Sequence, residues 1–568
     1  MLRSRLCETV EIKTIVNYFL LLIMGSLLFD CYIGLEFIDP QYVQWLLVKN
    51  DPVNHLLGWT AYLFSDCTEV FGNCLMQTPL GVGVGQTDSI PLMAVIAKFL
   101  FGRSHGNFQY FGIYLYFCFL LLGLVAFWAC FRKTKDLPFS FLSAGLMWVS
   151  FVLLGRLETA TAHIALTCHF LILLLIVFWT DDHRSRGDSS LTLGLSFLPM
   201  VISSLIHPTI WVILTSIQVP LSLFSGWKYG RIRAPILFTA ISLGVSIALM
   251  KACGFLGPHS GQAPDFGVYS ANLVSFFDSN GHSLFLGDLV NGKGQIEGYS
   301  YLGFGFISLI CFLLGPSRIF AKKRIHLEFQ VNHRWLVTGI CLILFLFSLS
   351  RFVAAGPELV FDLSYVYKYF SFVTGALRSS GRFIWPMAYL IMWSVISAIS
   401  QFKKKRLILL VGLSLQLVDS IPLVETRRPA TWPKLAENQT VDTGIEKLLK
   451  NPQRPRVIEF LPPVLYDVEL AQGCKDLAQI SLADYTTISL QAFELQVPTN
   501  SGIVSRGSPD FVDNQCNHQI AMMRGEEPLA KGHLLVLNKE TLAQFPGFTQ
   551  SKHCEELAEL KICWSADQ

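Results

Sequence analysis

Eleven apolar stretches, each long enough to cross a hydrocarbon core of about 30 Å, constrain this chain more than any other feature. Because a bilayer offers backbone amides no hydrogen-bond partner, each stretch is predicted to be a helix. Only 15% of the residues are charged, against roughly 25% in a soluble domain, so the sequence predicts a mainly α, polytopic transmembrane helix bundle. The stretches lie near 14–37, 108–131, 138–155, 162–180, 190–206, 209–226, 234–254, 299–317, 335–351, 383–401 and 406–424.

The basic residues predict the orientation of this bundle. If the N-terminus is cytoplasmic, every short basic cluster lies in a loop on the cytoplasmic side, in agreement with the positive-inside tendency. The odd number of spans then places residues 425–568 outside, and the first span is read as a retained helix because no small-residue cleavage site follows it. The predicted location is a bacterial inner membrane with a periplasmic C-terminal domain. The clusters are Arg132, Lys133 and Lys135; Arg184 and Arg186; Lys228, Arg231 and Arg233; Arg318, Lys322, Lys323 and Arg324; and Lys403, Lys404, Lys405 and Arg406.

Two domains are predicted: a bundle over 1–424 and a soluble α/β domain over 425–568. The composition changes around Pro429 and Pro433. Beyond these prolines, strand-like runs alternate with helix-like ones, at 456–461, 534–537 and 560–564 for strands and at 443–450 and 540–545 for helices.

Three outer loops are too long to be simple turns, and long loops are usually functional or disordered. They cover 38–107, 255–298 and 352–382. The apolar patch from Ser89 to Phe101 is too short to span and is predicted to lie in the interface or to pack on the bundle. Polar residues interrupt 138–180, which indicates a shallow, broken hairpin.

Six cysteines lie outside the predicted membrane, where an oxidising compartment permits disulfides. The hypothesis is that Cys67 pairs with Cys74 and Cys554 with Cys563, which leaves Cys474 and Cys516 as a third pair. A zinc site is the poorer alternative because no Cys-x-x-Cys spacing occurs.

The first outer loop holds two candidate catalytic carboxylates, Asp51 and Asp88, with His55 as a candidate binding residue. A carboxylate at the membrane surface can deprotonate a hydroxyl acceptor or bind a cation that carries a phosphate. The structural alternative is that Asp51 begins a turn before Pro52, and that Asp88 with Ser89 caps the helix that follows.

Arg156, His163, His169 and His207 are candidate substrate-binding residues near the outer ends of spans. Ionisable groups at membrane depth usually face a polar cavity or one another. The alternatives are a local pair of Arg156 with Glu158, and a helix break made by Pro208 alone.

The loop before the eighth span offers an amide, a carboxylate and a phenol, in Gln295, Glu297 and Tyr301. Such a set can hydrogen-bond a sugar. The alternative is a glycine-rich turn with an interfacial tyrosine belt.

Arg378 and Arg382 lie just above the outer membrane face, four residues apart and thus on one face if helical. Guanidinium forks suit phosphate oxygens at the depth of a lipid phosphate. The alternative is snorkelling to ordinary headgroups.

With these residues in place, the sequence resembles a bacterial family of multi-pass membrane proteins catalogued as a domain of unknown function and related to the GT-C glycosyltransferases. The resemblance implies a cavity for a polyprenyl-phosphate sugar, flanked by Asp51 as base and by Arg382, with Arg378, as phosphate ligand. The segment from Tyr62 to Gln77 departs from the family pattern, with two cysteines in place of an aromatic-Arg and Trp stretch. The matching stretches are 51–59, 87–92, 108–112, Arg156 with 163–169, His207, 295–303, 380–386, and Gln416 with Asp419.

The function hypothesis is transfer of a sugar from a polyprenyl-phosphate donor to an extracytoplasmic glycan, lipid or protein, with inversion at the anomeric carbon. Membrane lipids, the lipid-linked donor and the acceptor are the expected partners. The balance of 44 basic and 41 acidic residues shows no footprint for nucleic acid. No cofactor is certain, although a divalent metal is possible. The alternatives are a non-catalytic export or assembly factor for envelope polysaccharide, and a transporter.

Overall fold

The computed structural model describes residues 2–48, 51–103, 106, 108–157, 163–180, 190–256, 266–289, 292, 294–315, 333–427, 434–435, 439–450, 455–464, 474–504, 509–548 and 552–565. Several predicted features lie outside these residues, namely Glu158, Arg184, Arg186, Arg318, Lys322, Lys323, Arg324, Pro429 and Pro433.

The described chain is mainly helical up to residue 427, which confirms the predicted fold class. The α-helices are Leu2–Tyr32, Asp51–Phe64, Pro91–Phe101, Phe111–Thr134, Leu137–Trp148, Phe151–Leu154, Phe170–Thr180, Ser190–Leu195, Leu198–Ser204, Pro208–Lys228, Arg233–Ala252, Phe304–Leu314, His333–Ser348, Ser364–Tyr367, Ser371–Ala376, Trp385–Ile399, Lys405–Asp419 and Ile421–Arg427. The 3-10 helices are Leu35–Ile38, Gln44–Leu46, Val84–Thr87, Gly155–Leu157, Ile164–Thr167, Gln295–Gly298, Lys368–Phe370 and Ser380–Ile384. Two short hairpins pair Gly72–Asn73 with Val82–Gly83, and Phe352–Ala355 with Glu358–Asp362.

Six helical segments among the described residues are long and apolar enough to cross a membrane, and the protein is therefore a multi-pass membrane protein. These segments are Ile15–Tyr32, Phe111–Thr134, Leu137–Leu157, Pro208–Lys228, Arg233–Ala252 and Ser380–Ile399. Five more apolar helices are shorter, at Pro91–Phe101, Ile164–Thr180, Leu193–Ser204, Phe304–Leu314 and His333–Ser348. The predicted stretch at 406–424 is not among either set, and the predicted number of eleven spans stays a prediction.

The region from 137 to 180 is broken, as its polar residues indicate. The helix Leu137–Trp148 stops before Ser150, and short turns follow at Phe151–Leu154 and Gly155–Leu157. The chain returns through Ile164–Thr167 into the helix Phe170–Thr180. This interruption places Arg156 and His163 at the end of the bundle where the other polar candidates lie.

Two of the predicted cytoplasmic basic clusters meet at the opposite end of the bundle. Asp136, in the turn after the helix Phe111–Thr134, accepts a hydrogen bond from Arg406 Nε at 2.9 Å and lies 3.1 Å from Lys405 Nζ. Lys133 Nζ donates to Ser397 Oγ at 3.0 Å. These contacts define a basic end, and the candidate site lies at the other end.

The C-terminal region contains a four-stranded sheet in the order Val457–Leu461, His533–Asn538, Leu560–Ser565, Lys552–Leu557. The first pair is parallel and the other pairs are antiparallel. All three predicted strands are present, whereas the charged edge strand Lys552–Leu557 escaped prediction because it lacks apolar alternation. The helices here are Gln439–Leu449, Leu482–Glu494, Pro509–Met523 and Lys539–Ala543.

Three disulfides link the cysteine pairs that the sequence suggests: Cys67–Cys74, Cys474–Cys516 and Cys554–Cys563. Cys554 and Cys563 face each other in the register of the last two strands. The boundary of a C-terminal domain at residue 425 stays a prediction.

The C-terminal region is joined to the first long loop through the segment 499–502. Thr78 N donates to Thr499 O at 2.9 Å, Thr499 N donates to Leu75 O at 2.8 Å, and Gln77 N donates to Ser501 O at 3.2 Å. The Gln77 side chain also donates to Gly502 O at 3.2 Å. This strand-like pairing fixes the two residues that follow, Ile503 and Val504, against the bundle.

Candidate functional site

A polar cavity of about 260 Å³ lies where the three long loops, the broken hairpin and the segment 499–504 converge. Most of its wall comes from charged, amide, hydroxyl and imidazole side chains that are far apart in the chain. The residues that line it are Asp51, Asn54, Thr87, Asp88, His163, His207, Pro208, Thr209, Phe255, Tyr269, Glu297, Ala376, Leu377, Arg378, Ser379, Arg382, Phe383, Ile503 and Val504. Seven of the predicted catalytic or substrate-binding residues therefore share one cavity, namely Asp51, Asp88, His163, His207, Glu297, Arg378 and Arg382.

Glu297 links two arginines at the floor of this cavity. Its Oε2 accepts from Arg382 Nε at 2.8 Å and from Arg156 Nη1 at 3.2 Å, and its Oε1 accepts from Arg382 Nη2 at 3.2 Å. Burial alone would raise the pKa of the Glu297 carboxyl, but the two guanidiniums outweigh burial and lower that pKa. Glu297 is therefore a carboxylate held between two guanidinium cations. The three side chains together carry a net positive charge.

Two glycines permit this arrangement. A Cβ on Gly381 would lie 2.7 Å from Gly298 N, and a Cβ on Gly298 would lie 2.4 Å from the Cα of Ala271. Only glycine allows two backbones to approach this closely. This close approach brings Arg382, the residue after Gly381, into contact with Glu297, the residue before Gly298.

Asp51 and Asp88 both line the cavity, and Asp88 does not cap the helix that follows it, unlike the structural alternative. Asp51 is the first residue of the helix Asp51–Phe64. Asp88 has a left-handed backbone (φ 53°) after a 3-10 turn, and the N-cap of the next helix is Ile90, with no side-chain capping bond. Burial raises the pKa of the Asp51 carboxyl, although nearby His163 opposes this rise.

Three imidazoles stand in a row beside Asp88. The ring centroids of His55 and His163 are 5.2 Å apart, and those of His163 and His207 are 4.9 Å apart. His163 Nε2 lies 3.5 Å from Asp88 Oδ2. Burial would raise the pKa of Asp88, but the adjacent His163 outweighs burial and lowers it, so this carboxyl is ionised.

Asp88, His163 and His207 have ligand atoms within 4.8 Å of one another, which is compatible with a divalent cation. His207, however, caps the helix Pro208–Lys228, and its Nδ1 accepts a hydrogen bond from Thr209 N at 3.0 Å. Burial lowers the pKa of His207 well below its usual value, so the ring is neutral and carries its proton on Nε2. A protonated Nε2 donates hydrogen bonds and does not ligate metals, so this arrangement favours hydrogen bonding to a ligand.

His55 and His169 are buried behind the cavity and do not line it. His55 stacks on Phe111 with centroids 5.6 Å apart. His169 Nδ1 lies 2.9 Å from the Tyr389 hydroxyl, and its ring packs 4.5 Å from that of Trp385. Side chains of the bundle pack against both rings, and the role of these histidines in binding substrate stays a prediction.

Gln295 and Tyr301 do not line this cavity with Glu297, and their predicted role in binding a sugar stays a prediction. Gln295 Oε1 accepts from Asn272 Nδ2 and Gly292 N, each at 3.0 Å, and so folds its own loop. Tyr301 is fully buried and donates to Asp419 Oδ2 at 3.0 Å. Adjacent positions in this irregular chain point to different sides, so one predicted set divides between two networks.

The two predicted phosphate-binding arginines share the cavity but not a helix face. Arg378 precedes the 3-10 helix Ser380–Ile384 that carries Arg382, so the expected four-residue helical spacing is absent. The guanidinium of Arg378 lies over the Tyr269 ring, 5.7 Å from its centroid. Arg156 is not among the residues that line the cavity; it pairs with Glu297, which also pairs with Arg382.

Sequence reasoning missed several lining residues, of which Ile503 and Val504 are the most distant from the others in the chain. Both are buried, at 7% and 2% exposure. Their sequence resembles any apolar turn, so no local signal marks them. Asn54 and Thr87 were within stretches already singled out, and their spacing from Asp51 and Asp88 could have found them.

Residues 22–421 match the family model described as "Domain of unknown function (DUF6311)". The chain belongs to the DUF6311 family. This confirms the family predicted from the sequence. No curated protein matches the chain.

Two solved structures of ArnT from Cupriavidus metallidurans are similar to this DUF6311 member, each with 10% sequence identity. The apo crystal structure aligns over 97% of this chain and 98% of ArnT, with a TM-score of 0.49. The crystal structure bound to undecaprenyl phosphate aligns over 97% of both chains, with a TM-score of 0.44.

Proposed function

We propose that this protein is a GT-C-like membrane glycosyltransferase that moves a sugar from a polyprenyl-phosphate donor to an extracytoplasmic acceptor. The observation that carries the proposal is the single cavity shared by Asp51, Arg378 and Arg382, at the end of the bundle opposite the basic cluster. A polyprenyl chain must stay in lipid while its phosphate meets water, and the end of a membrane bundle satisfies both needs. The three disulfides fit an oxidising, extracytoplasmic compartment.

Asp51 is the proposed general base. A carboxyl whose pKa is raised by burial is a stronger base than an exposed one, and it can accept the proton of an acceptor hydroxyl as that oxygen attacks the anomeric carbon. Asp88 is ionised beside the imidazole row, which suits it to holding hydroxyls in place.

The arginines are proposed to stabilise the departing polyprenyl phosphate. Arg382 gives Nε and Nη2 to Glu297, while its Nη1 donates to no residue in the described ranges. The trio of Arg156, Glu297 and Arg382 keeps a net positive charge beside the cavity, and Arg378 adds a second cation. Preorganised cations at the place where negative charge develops favour the transition state. The neutral Nε2–H of His207 supplies a further donor.

The test starts with lipid extracts from a strain that lacks the gene. Accumulation of one polyprenyl-phosphate sugar identifies the donor, which is then supplied to the purified protein in nanodiscs. We expect Asp51→Asn to keep donor binding and to lose transfer by about 100- to 10,000-fold, as for removal of a general base. Arg382→Ala should weaken donor binding. Asp66→Asn is the matched control, because Asp66 is an exposed carboxylate of the same loop, paired with Arg103.

Unchanged transfer in both Asp51→Asn and Arg382→Ala would refute the mechanism. Donor binding by the unsubstituted protein with no transfer to any envelope glycan, lipid or protein would favour the non-catalytic assembly factor instead.

A further inference from the structure

The loop between the helix His333–Ser348 and Arg378 exposes an unusual amount of apolar surface. Phe372 is 85% exposed, Tyr365 74%, Tyr369 67% and Phe361 61%. Every residue of the strand Glu358–Asp362 is exposed, on both faces. We call residues 359–373 the apolar loop.

Water is a poor solvent for this surface. Contiguous apolar patches larger than a few hundred Å² mark sites of interaction with proteins, ligands or membranes. An isolated two-stranded hairpin is also marginally stable in water, and the strand Phe352–Ala355 gives Glu358–Asp362 a partner along one edge only. The apolar loop therefore needs a covering layer that the described chain does not provide.

The surface is continuous with the lipid-facing side of the bundle. It begins shortly after the apolar helix His333–Ser348, whose Ile343 is 66% exposed, as expected for a side chain that faces lipid. Phe266 joins the two regions, with ring centroids 5.0 Å from Tyr367 and 6.0 Å from Phe347. Tyrosines such as Tyr365 and Tyr369 are typical of the membrane–water boundary, where the ring meets lipid and the hydroxyl meets water.

The apolar loop also leads directly into the cavity wall. Its end continues through Ala376 and Leu377 to Arg378, and all three line the cavity. A segment held at the bilayer surface would thus place one wall of the cavity beside the headgroups. This continuity favours lipid over a soluble protein as the occupant.

We propose that residues 359–373 insert into the membrane interface beside the mouth of the cavity and contact the acyl chains and headgroups of the surrounding bilayer. The segment anchors the Arg378 side of the cavity to the lipid surface. This inference does not depend on sugar transfer, because it requires only that the loop is in contact with lipid.

The experiment measures the depth of the loop in nanodiscs of phosphatidylcholine and phosphatidylglycerol. Phe372→Cys is labelled with the environment-sensitive dye NBD, and Glu526→Cys, at an exposed turn of the C-terminal region, is the matched control. Both substitutions are made in a chain with Cys31→Ser and Cys311→Ser, which removes the two free cysteines that the structure shows as exposed. The chain without an added cysteine gives the background labelling.

We expect the dye at position 372 to be quenched by lipids that carry a doxyl group near the headgroup and to be shielded from aqueous iodide, with the reverse at position 526. Quenching by iodide alone at position 372 would refute lipid contact. Shielding from both quenchers would also refute it, because the loop would then be covered by protein, such as a second copy. Tyr369→Cys repeats the measurement if Phe372→Cys does not fold.

Discussion

Asp419 and Glu297 are both buried carboxylates near the cavity end of the bundle, but their partners differ in kind. Asp419 is fully buried, and among the described residues its side chain accepts only from neutral donors: the hydroxyls of Ser283 and Tyr301 and the amides of Phe285 and Phe304. Glu297 lies between two guanidiniums and lines a cavity.

The difference teaches that burial alone does not identify a functional carboxylate. The donors around Asp419 satisfy its oxygens, so this network ties the end of the helix Lys405–Asp419 to the loop that holds Tyr301. The Glu297 network keeps a net charge and borders open space. A buried polar group whose hydrogen bonds are all made within the protein has a structural role. A net charge that borders a cavity can instead interact with a ligand.

The largest expected effect follows from removing the carboxylate of Glu297. Glu297→Ala leaves Arg156 and Arg382 buried without a counter-charge, which costs about 3–5 kcal/mol when one partner of a buried pair is lost. The free energy of unfolding in detergent, from denaturant titration, measures this loss. Asp66→Ala, which removes an exposed partner of Arg103, should leave the free energy of unfolding unchanged. Equal effects from the two substitutions would contradict the description of Glu297.

The next effect separates the Asp419 network from the site. Asp419→Asn keeps the shape but turns an NH2 group towards donors, so we expect about 1–3 kcal/mol of destabilisation from unsatisfied buried groups. Binding of the donor by the folded fraction should not change, because Asp419 does not line the cavity. An equilibrium binding titration on folded protein checks this, and a large loss of affinity would place Asp419 in the site.

A smaller effect tests the glycine contact that positions Arg382. Gly381→Ala introduces a Cβ 2.7 Å from Gly298 N, and overpacking of this kind costs roughly 1–3 kcal/mol. Gly339→Ala is the control, because a Cβ at this helical position meets nothing within 4 Å and alanine favours the helix. Thermal unfolding of the two variants should move in opposite directions.

The smallest effect concerns pH and has opposite signs for two carboxylates. The pKa of Asp51 is raised in the folded state by burial, so stability falls as pH rises from its unfolded-state pKa to its folded-state pKa. Asp51→Asn removes this cost of burial and should therefore stabilise the protein at neutral pH.

Glu297 provides the opposite sign. Its pKa is lowered by the two arginines despite burial, so its contribution is present above the unfolded-state pKa and is lost as pH falls towards the folded-state pKa. Denaturant unfolding of Asp51→Asn and Glu297→Ala at a series of acid pH values measures how the free energy of unfolding of each variant changes with pH. If Asp51→Asn lowered the free energy of unfolding at neutral pH, burial of the charged Asp51 carboxylate would not be unfavourable, which contradicts the prediction.

Much of the bundle was predictable because a segment that crosses lipid must be a continuous apolar helix, which can be recognised along the sequence. Ten of the eleven apolar stretches overlap an apolar helix of the described chain, and the basic cluster at Lys405 and Arg406 meets Asp136 at one end. The candidate residues Asp51, Asp88, His163, His207, Glu297 and Arg382 were likewise recognisable, because ionisable groups at membrane depth are rare.

The sequence by itself determined which segments are apolar enough to enter lipid, where the basic residues cluster along the chain and which polar residues are expensive to bury, because these properties depend on local composition. Only the tertiary structure decided that Arg156 pairs with Glu297, 141 positions away, that Tyr301 turns to Asp419, and that Ile503 and Val504 complete the wall of the cavity. Such pairings depend on where packed helices bring distant loops together, and on contacts as close as that of Gly381 with Gly298. No local sequence pattern indicates which of these distant residues come into contact.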